Sequence, residues 1–282
     1  MRKPVMMRAA TLLIAGLALA ACGDNGSSSG TSTGPAATNA GTKPIAVGFV
    51  QTGAESAWRA ANTNSVKSEA EKRGIKLDFI SGEGDVDKQR AAMNTLISQG
   101  VDVIILDPLQ NFGWDPILKQ AKAANIPVII ADRAIDSPPD LYVCFIGSNF
   151  DEEGQRVGEW LAKHTDGKAK IVEIEGQTGS AAAVDRKKGF EEAIAKYPDM
   201  KVIASKSGEF DKAKGKDVME AFLKNPDLKD MTVVFAHNDD MALGAIQAIK
   251  EAGKKPGKDI MVVSVDGEKA MVQAIADGDA NC

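Results

Sequence analysis

In this 282-residue chain, polar and charged residues recur at one kind of place, directly after a short apolar run. The set is Gln51, Ser81, Asp107, Asp132 with Arg133, Gln177, His237 with Asn238, and Asp266, and Phe210 stands a few residues past its run. Carboxylates accept from hydroxyls, an amide both donates and accepts, and arginine offers a planar fork of donors, so the set suits a polyhydroxyl ligand. Sugar rings also present an apolar C–H face, which Trp58 or Phe210 can cover. Each residue alone has a plainer reading. Asp and Asn after a strand cap helices and form turns, a single aromatic packs, and Asp132 with Arg133 makes a surface ion pair worth under about 1 kcal/mol. Repetition at many run ends favours the ligand reading.

Other chemistries lack their residues. No G-x-G-x-x-G follows an apolar run and no phosphate-loop motif occurs; Gly253-Lys254-Lys255-Pro256-Gly257-Lys258 is one residue too short and has no hydroxyl. H-E-x-x-H and C-x-x-C are absent, so neither metal nor cofactor is implied. Gly30-Thr31-Ser32-Thr33-Gly34 matches the hydrolase G-x-S-x-G, but that motif needs a strand before the serine and a helix after it, and neither is indicated. His237, one of two histidines, has no nucleophile beside it in sequence, so no enzyme is implied.

The elements that must position these residues alternate. Apolar runs lie at 45–50, 75–80, 101–106, 126–131, 170–175, 201–206, 232–236 and 260–265, several almost uniformly Val and Ile, as in parallel strands covered on both faces. Between them are amphipathic segments such as 86–99 and 239–253, the latter closed by Gly253. Ligands of such doubly wound α/β sheets sit beyond the carboxyl ends of the strands, where the polar residues fall. Residues 134–148 replace one expected helix with a Pro-bearing extended segment, and a new helix starts near Asp151. Two lobes of four strands each follow, 44–140 and 141–282, joined by an extended crossing.

Ahead of the lobes, residues 1–21 have a basic start and a short apolar stretch, the pattern of a secretory signal. Leu19-Ala20-Ala21-Cys22 resembles the bacterial lipobox, which makes Cys22 an acylated mature N-terminus. Acyl chains contribute roughly 0.8 kcal/mol per buried methylene, enough for two or three to hold a protein at a membrane. Residues 23–43, of which 13 of 21 are Gly, Ser or Thr, form a flexible tether. Removal of Arg2, Lys3 and Arg8 with the signal takes the net charge from −5 to −8, since 31 cations then face 39 acids. So acidic a chain is a poor nucleic-acid partner. A bridge between Cys144 and Cys282 is left open by the sequence.

The strings QTGAESAWRAANTNSVKSEAEKRG, DRAID, VDRKKGFEEAI, SGEFDKAKGKDVMEAFL, AHNDDMALGAIQAIKEAG and SVDG, in this order, resemble the periplasmic sugar-binding proteins of ABC transporters, most closely the galactofuranose-binding branch of the ribose-binding group. The resemblance implies two Rossmann-like doubly wound parallel-sheet lobes joined by a hinge, the type I periplasmic binding protein fold, closing over one monosaccharide. It places Glu55, Ser56, Ala57, Trp58 and Arg59 at the sugar from the first lobe, with Trp58 stacking and Asp132 and Arg133 binding hydroxyls. Arg186, Asn238 and Asp266 complete the polar ring from the second lobe, capped by Phe210. It also implies a monomer, exported to the periplasm or the outer face of the cell membrane, that hands sugar to a permease. A sensor subunit for a chemotaxis or kinase receptor has the same ligand site. A lac-repressor-type effector domain needs a DNA-binding domain ahead of residue 44, where a signal and tether stand. Family members continue past the position of Cys282 through a third crossing, so either this sequence is a piece of a longer chain or that crossing is lacking.

Overall fold

The computed structural model describes residues 43–282; the signal, Cys22, the tether and the G-x-S-x-G match lie outside the described residues. The first sheet is built of β1 (Ala46–Gln51), β2 (Lys76–Ser81), β3 (Val103–Leu106), β4 (Val128–Asp132) and β5 (Cys144–Gly147), in the order β2-β1-β3-β4-β5. The second holds β6 (Lys168–Glu175), β7 (Asp199–Ser207), β8 (Val233–Ala236) and β9 (Met261–Val263), in the order β7-β6-β8-β9. Every neighbouring pair is parallel. The strand order therefore reverses beside β1 in one lobe and beside β6 in the other, and at such a switch point a crevice opens at the carboxyl ends.

Among the described residues eight α-helices flank the strands: α1 (Ala57–Lys72), α2 (Val86–Gln99) and α3 (Asp115–Ala123) in the first lobe, then α4 (Phe150–His164), α5 (Ala181–Ile194), α6 (Lys212–Lys224), α7 (Asp239–Glu251) and, after the last strand, α8 (Lys269–Asp277). Six begin on a side-chain cap: Ser56, Asp85, Asn149, Ser180, Asp211 and Asn238 each accept a backbone N–H of the first turn. Such caps are worth about 1 kcal/mol each and fix where each helix leaves its strand.

The uniform apolar runs are explained by burial on both faces of the second sheet. Ile171, Val233, Phe235 and Val263 pack with Leu161 of α4 and Phe190 of α5, while Val172, Ile174, Val234 and Val262 pack with Met219 of α6 and Met241 and Ala245 of α7. In the first lobe Val50, Ile104, Leu106 and Ile130 meet Met93 and Leu96 of α2 and Leu118 of α3.

All eight expected runs are strands, and the crossing segment is corrected. Residues 144–147 form β5 against β4, so the first sheet has five strands instead of four and reaches Gly147, beyond the boundary expected at residue 140. The chain then enters α4 through Ser148 and Asn149. Both Cys144, exposed on β5, and Cys282, packed against the second-lobe core, are free thiols.

Candidate functional site

α1 leaves the loop after β1 with Ser56 as its cap, which puts Arg59 one turn in and pointing back across the strand ends. Its guanidinium donates to Glu55 Oε1 at 3.1 Å, Asp107 Oδ2 at 2.5 Å and Asp132 Oδ2 at 2.7 Å, and it is only 2% exposed. Burial alone lowers an arginine pKa, but Asp107, Asp132 and Glu55 outweigh it and hold Arg59 above its ordinary value. Burial pushes Asp107 above the usual carboxylate range, against the pull of Arg59. Arg59 thus spends its donors on fixing carboxylates.

Arg133 is differently placed. Its Nη1 donates across the lobes to Gln177 Oε1 at 3.0 Å, its Nη2 to Glu55 Oε1 at 3.5 Å, and its plane lies over the Phe210 ring at 5.2 Å. The Nε–H is buried with no hydrogen-bond partner and lies 3.7 Å from Asp132 Oδ2. Burial and then the neighbouring Arg59 pull its pKa down.

In the second lobe Arg186 of α5 donates to Glu153 Oε2 at 2.8 Å, to the carbonyl of His237 at 2.6 Å and to Asp266 Oδ1 at 3.1 Å, and its plane covers Phe150 at 5.0 Å. This geometry depends on a close crossing of α4 and α5: a Cβ on Gly154 would lie 2.1 Å from the Arg186 carbonyl, and one on Gly189 would lie 1.9 Å from the Asp151 carbonyl. Asn238 caps α7 through Oδ1 and donates Nδ2 to the Phe210 carbonyl at 3.1 Å. The Phe210 ring sits over Gly176, where any Cβ would meet its Cζ at 2.0 Å. Burial drives Asp266 up to about 7, with Arg186 opposing.

Asp132, Phe210 and Asp266 all hold positive φ, at 61°, 63° and 117°. Three non-glycine residues in this costly region converge on one place, as is usual where a fold stores strain for function.

Ten of the eleven expected residues line a single cavity of about 130 Å³ between the lobes: Glu55, Ser56, Trp58, Arg59, Asp132, Arg133, Arg186, Phe210, Asn238 and Asp266. Ala57 does not; it is exposed at the cavity's outer side, and its N–H donates to Asp240 Oδ2 at 2.6 Å. Ser148, Phe150, Glu153 and Ala182 line the cavity and were not singled out from sequence. The first three follow β5, so treating 144–147 as a strand directs attention to them. Each of the three guanidiniums stacks on an aromatic: Arg59 over Trp58 at 4.8 Å, Arg133 over Phe210 and Arg186 over Phe150. The walls thus alternate flat apolar faces with hydrogen-bonding forks.

His237 lies behind this wall, fully buried. Its Nδ1 accepts the Gly176 N–H at 3.2 Å and its Nε2 meets Glu173 Oε1 at 3.1 Å, so both ring nitrogens are structurally committed. Burial works to raise Glu173, but hydrogen bonds from His237 and Ser205 and the charge of Lys187 prevail and hold it at about 2.

Two α/β lobes with a polar and aromatic cavity at facing switch points define a hinged binding protein, and sequence comparison agrees: a family model described as a periplasmic binding protein domain matches residues 47–282. The chain belongs to the periplasmic binding protein family, and its relatives are sugar-binding proteins of the ribose-binding group. It is 49% identical over 241 residues to the galactofuranose-binding protein YtfQ of Escherichia coli, covering 84% of this chain and 76% of that one. Among solved structures it is similar to the periplasmic binding component of the arabinose ABC transporter from Shewanella sp. ANA-3 bound to α- and β-L-arabinofuranose, with 49% identity, TM-score 0.82 and coverage of 84% and 79%. A Mycobacterium smegmatis protein in complex with β-D-fucofuranose is 50% identical, with TM-score 0.82 and the same coverage.

Proposed function

We propose that this chain binds a monosaccharide in furanose form between its lobes and delivers it to the permease of an ABC importer. The observation that carries this reading is the convergence of ten sequence-selected residues, from both lobes, on one cavity. Arg133, Asp132, Asn238 and Asp266 bond the hydroxyls, Trp58, Phe150 and Phe210 cover the C–H faces, and Arg59 and Arg186 hold the carboxylates in register. Contacts drawn from both lobes are complete only when the lobes meet, so the ligand favours the closed state by its differential affinity. A cavity this size is small beside the several hundred Å³ of typical drug pockets, which fits a single sugar ring. The furanose preference is supported by the arabinofuranose and fucofuranose complexes of relatives near 50% identity.

The proposal extends to export and anchoring through Cys22, with the protein a monomer at the outer face of the membrane. Cys22→Ser should release it to the soluble fraction; retention on membranes would count against the anchor. Uptake supplies the functional test: deletion of the gene should abolish import of the sugar that binds the purified protein. Unimpaired import alongside a lost chemotactic or kinase response would reassign the protein to sensing.

A further inference from the structure

The N-terminus of α1 carries no acidic residue in its first turn. Of its free donors, the Arg59 N–H goes to Ser56 Oγ at 3.0 Å, which leaves those of Ala57 and Trp58. Both are taken by carboxylates of the other lobe: Asp240 Oδ2 accepts from Ala57 at 2.6 Å and Glu268 Oε1 accepts from Trp58 at 3.1 Å. Asp240 stands in the first turn of α7 and Glu268 immediately before α8, within hydrogen-bonding reach of each other. Opening the lobes would return all four groups to water. These contacts lie beside the sugar cavity, since neither Asp240 nor Glu268 lines it.

We infer that Asp240 and Glu268 form a carboxylate clasp on the N-terminus of α1 that holds the lobes closed and makes closure pH-dependent. A helix N-terminus presents about half a positive charge, so one carboxylate matches it and a second brings uncompensated repulsion. The surroundings add to that excess. Asp239 of α7 accepts from Ser264 at 2.5 Å and from the Glu268 N–H at 2.6 Å, and Asp266 lies two residues before Glu268. The cations nearby are engaged or turned elsewhere: Arg186 serves Asp266 and Glu153, Arg59 serves Glu55, Asp107 and Asp132, and Lys269 is exposed on α8. Burial, and then the charge of Asp240, push Glu268 up to about 7. Its neutral form accepts from Trp58 through one oxygen and donates to Asp240 through the other.

The sign follows from where the burial comes from. Closure lays the α1 N-terminus on the pair; the burial it adds outweighs the Trp58 N–H, which favours the charged form, so the closed state binds the Glu268 proton more tightly than the open one and closing takes a proton up. A carboxyl titrating at about 7 is about ten-to-one protonated at pH 6 and one-to-ten at pH 8. Glu268 is only half-buried and water screens it, so the closing equilibrium weakens several-fold across that range, by about tenfold at most.

The inference rests on hinge closure but not on the identity of the sugar, and its test separates the two. Small-angle scattering of the ligand-free protein at pH 6 and pH 8 should show a smaller radius of gyration at pH 6. Glu268→Gln, which keeps both hydrogen bonds without the charge, should be equally compact at both, and Asp240→Asn provides a second charge-removing variant. Sugar affinity by calorimetry should fall several-fold more from pH 6 to pH 8 in the wild type than in Glu268→Gln. The difference between the two proteins is the readout, because Asp266 titrates in the same range inside the cavity. A wild-type radius independent of pH, or variants that follow the wild-type pH response, overturns the clasp. Compaction that responds as expected while no sugar binds leaves the clasp standing and removes the ligand reading.

Discussion

Replacing Arg133 with lysine keeps the charge and removes the fork. In the wild type three features of one guanidinium are used at once: Nη1 reaches Gln177 in the second lobe, Nη2 reaches Glu55 in the first, and the flat face stacks on Phe210 at 5.2 Å. Arg133 also lines the cavity, so the same guanidinium is placed to donate to a ligand hydroxyl. A lysine ammonium is a point charge on a flexible stem and satisfies one of these directions. The lost hydrogen bond costs about 1 kcal/mol, the stack about 0.5 to 1 kcal/mol, and an unpaired ligand hydroxyl about 1 to 2 kcal/mol. The sum is about 2.5 to 4 kcal/mol, or about 60-fold to 700-fold in Kd at 1.4 kcal/mol per decade. Titration calorimetry of both proteins with the same sugar measures it, and a thermal melt confirms that the variant is folded. An affinity within threefold of wild type would refute the assignment of Arg133 as the central donor.

Other outcomes follow from the same geometry. Asp266→Asn deprives Arg186 of one of its two ion-pair partners, at 3.1 Å, and the ligand of a charged acceptor, so binding at pH 8 should weaken by about 1 to 3 kcal/mol; unchanged calorimetric affinity would place the ligand elsewhere. Asp266, at about 7 against an ordinary 3.8, holds its proton more tightly when folded, so its contribution to stability falls as pH rises from about 4 to about 7. Glu173, held at about 2 against 4.5, acts oppositely, its contribution lost as pH falls below about 4.5. The thermal midpoint should therefore be higher near pH 5 than at pH 8, and a midpoint that rises toward pH 8 would contradict the Asp266 assignment, while one that does not drop once the pH is below about 4.5 would contradict that of Glu173. Gly154→Ala drives a methyl group into the Arg186 carbonyl and should cost about 1 to 3 kcal/mol in urea denaturation while weakening sugar binding; wild-type values for both would show that α4 and α5 can part without disturbing the site. His237→Ala leaves Glu173 as a buried charge with fewer partners and should cost about 3 to 5 kcal/mol of stability, and a fully stable variant would argue against a structural histidine.

Much of this was legible because parallel strands buried on both faces write themselves as unbroken Val and Ile runs. The second sheet shows why: Ile171 and Val172 face opposite helix layers, yet both are fully buried. β5 obeys no such rule. It is an edge strand whose four residues are all exposed, and its apolar Cys144-Phe145-Ile146 sits behind two prolines, so nothing in its composition separates a paired edge from an extended crossing. Missing that strand concealed the site residues after it, Ser148, Phe150 and Glu153. Positions after strands were readable because the sheet fixes where the chain emerges. Partnerships were not: that Arg59 serves Asp107, 48 residues away, depends on how α1 is rotated over the sheet. The same holds for Asp240 and Glu268, which pair in sequence with nothing but meet α1 across the lobe gap, about 183 and 210 residues from their donors.

The central claim, a furanose held between the lobes, is tested most directly by titration calorimetry of the purified protein against neutral monosaccharides locked as furanoses and as pyranoses. The account predicts saturable one-to-one binding with a preference for the furanose ring, lost in a protein carrying both Asp132→Ala and Asp266→Ala. Absence of binding across the panel, or undiminished binding in the doubly substituted protein, would contradict it.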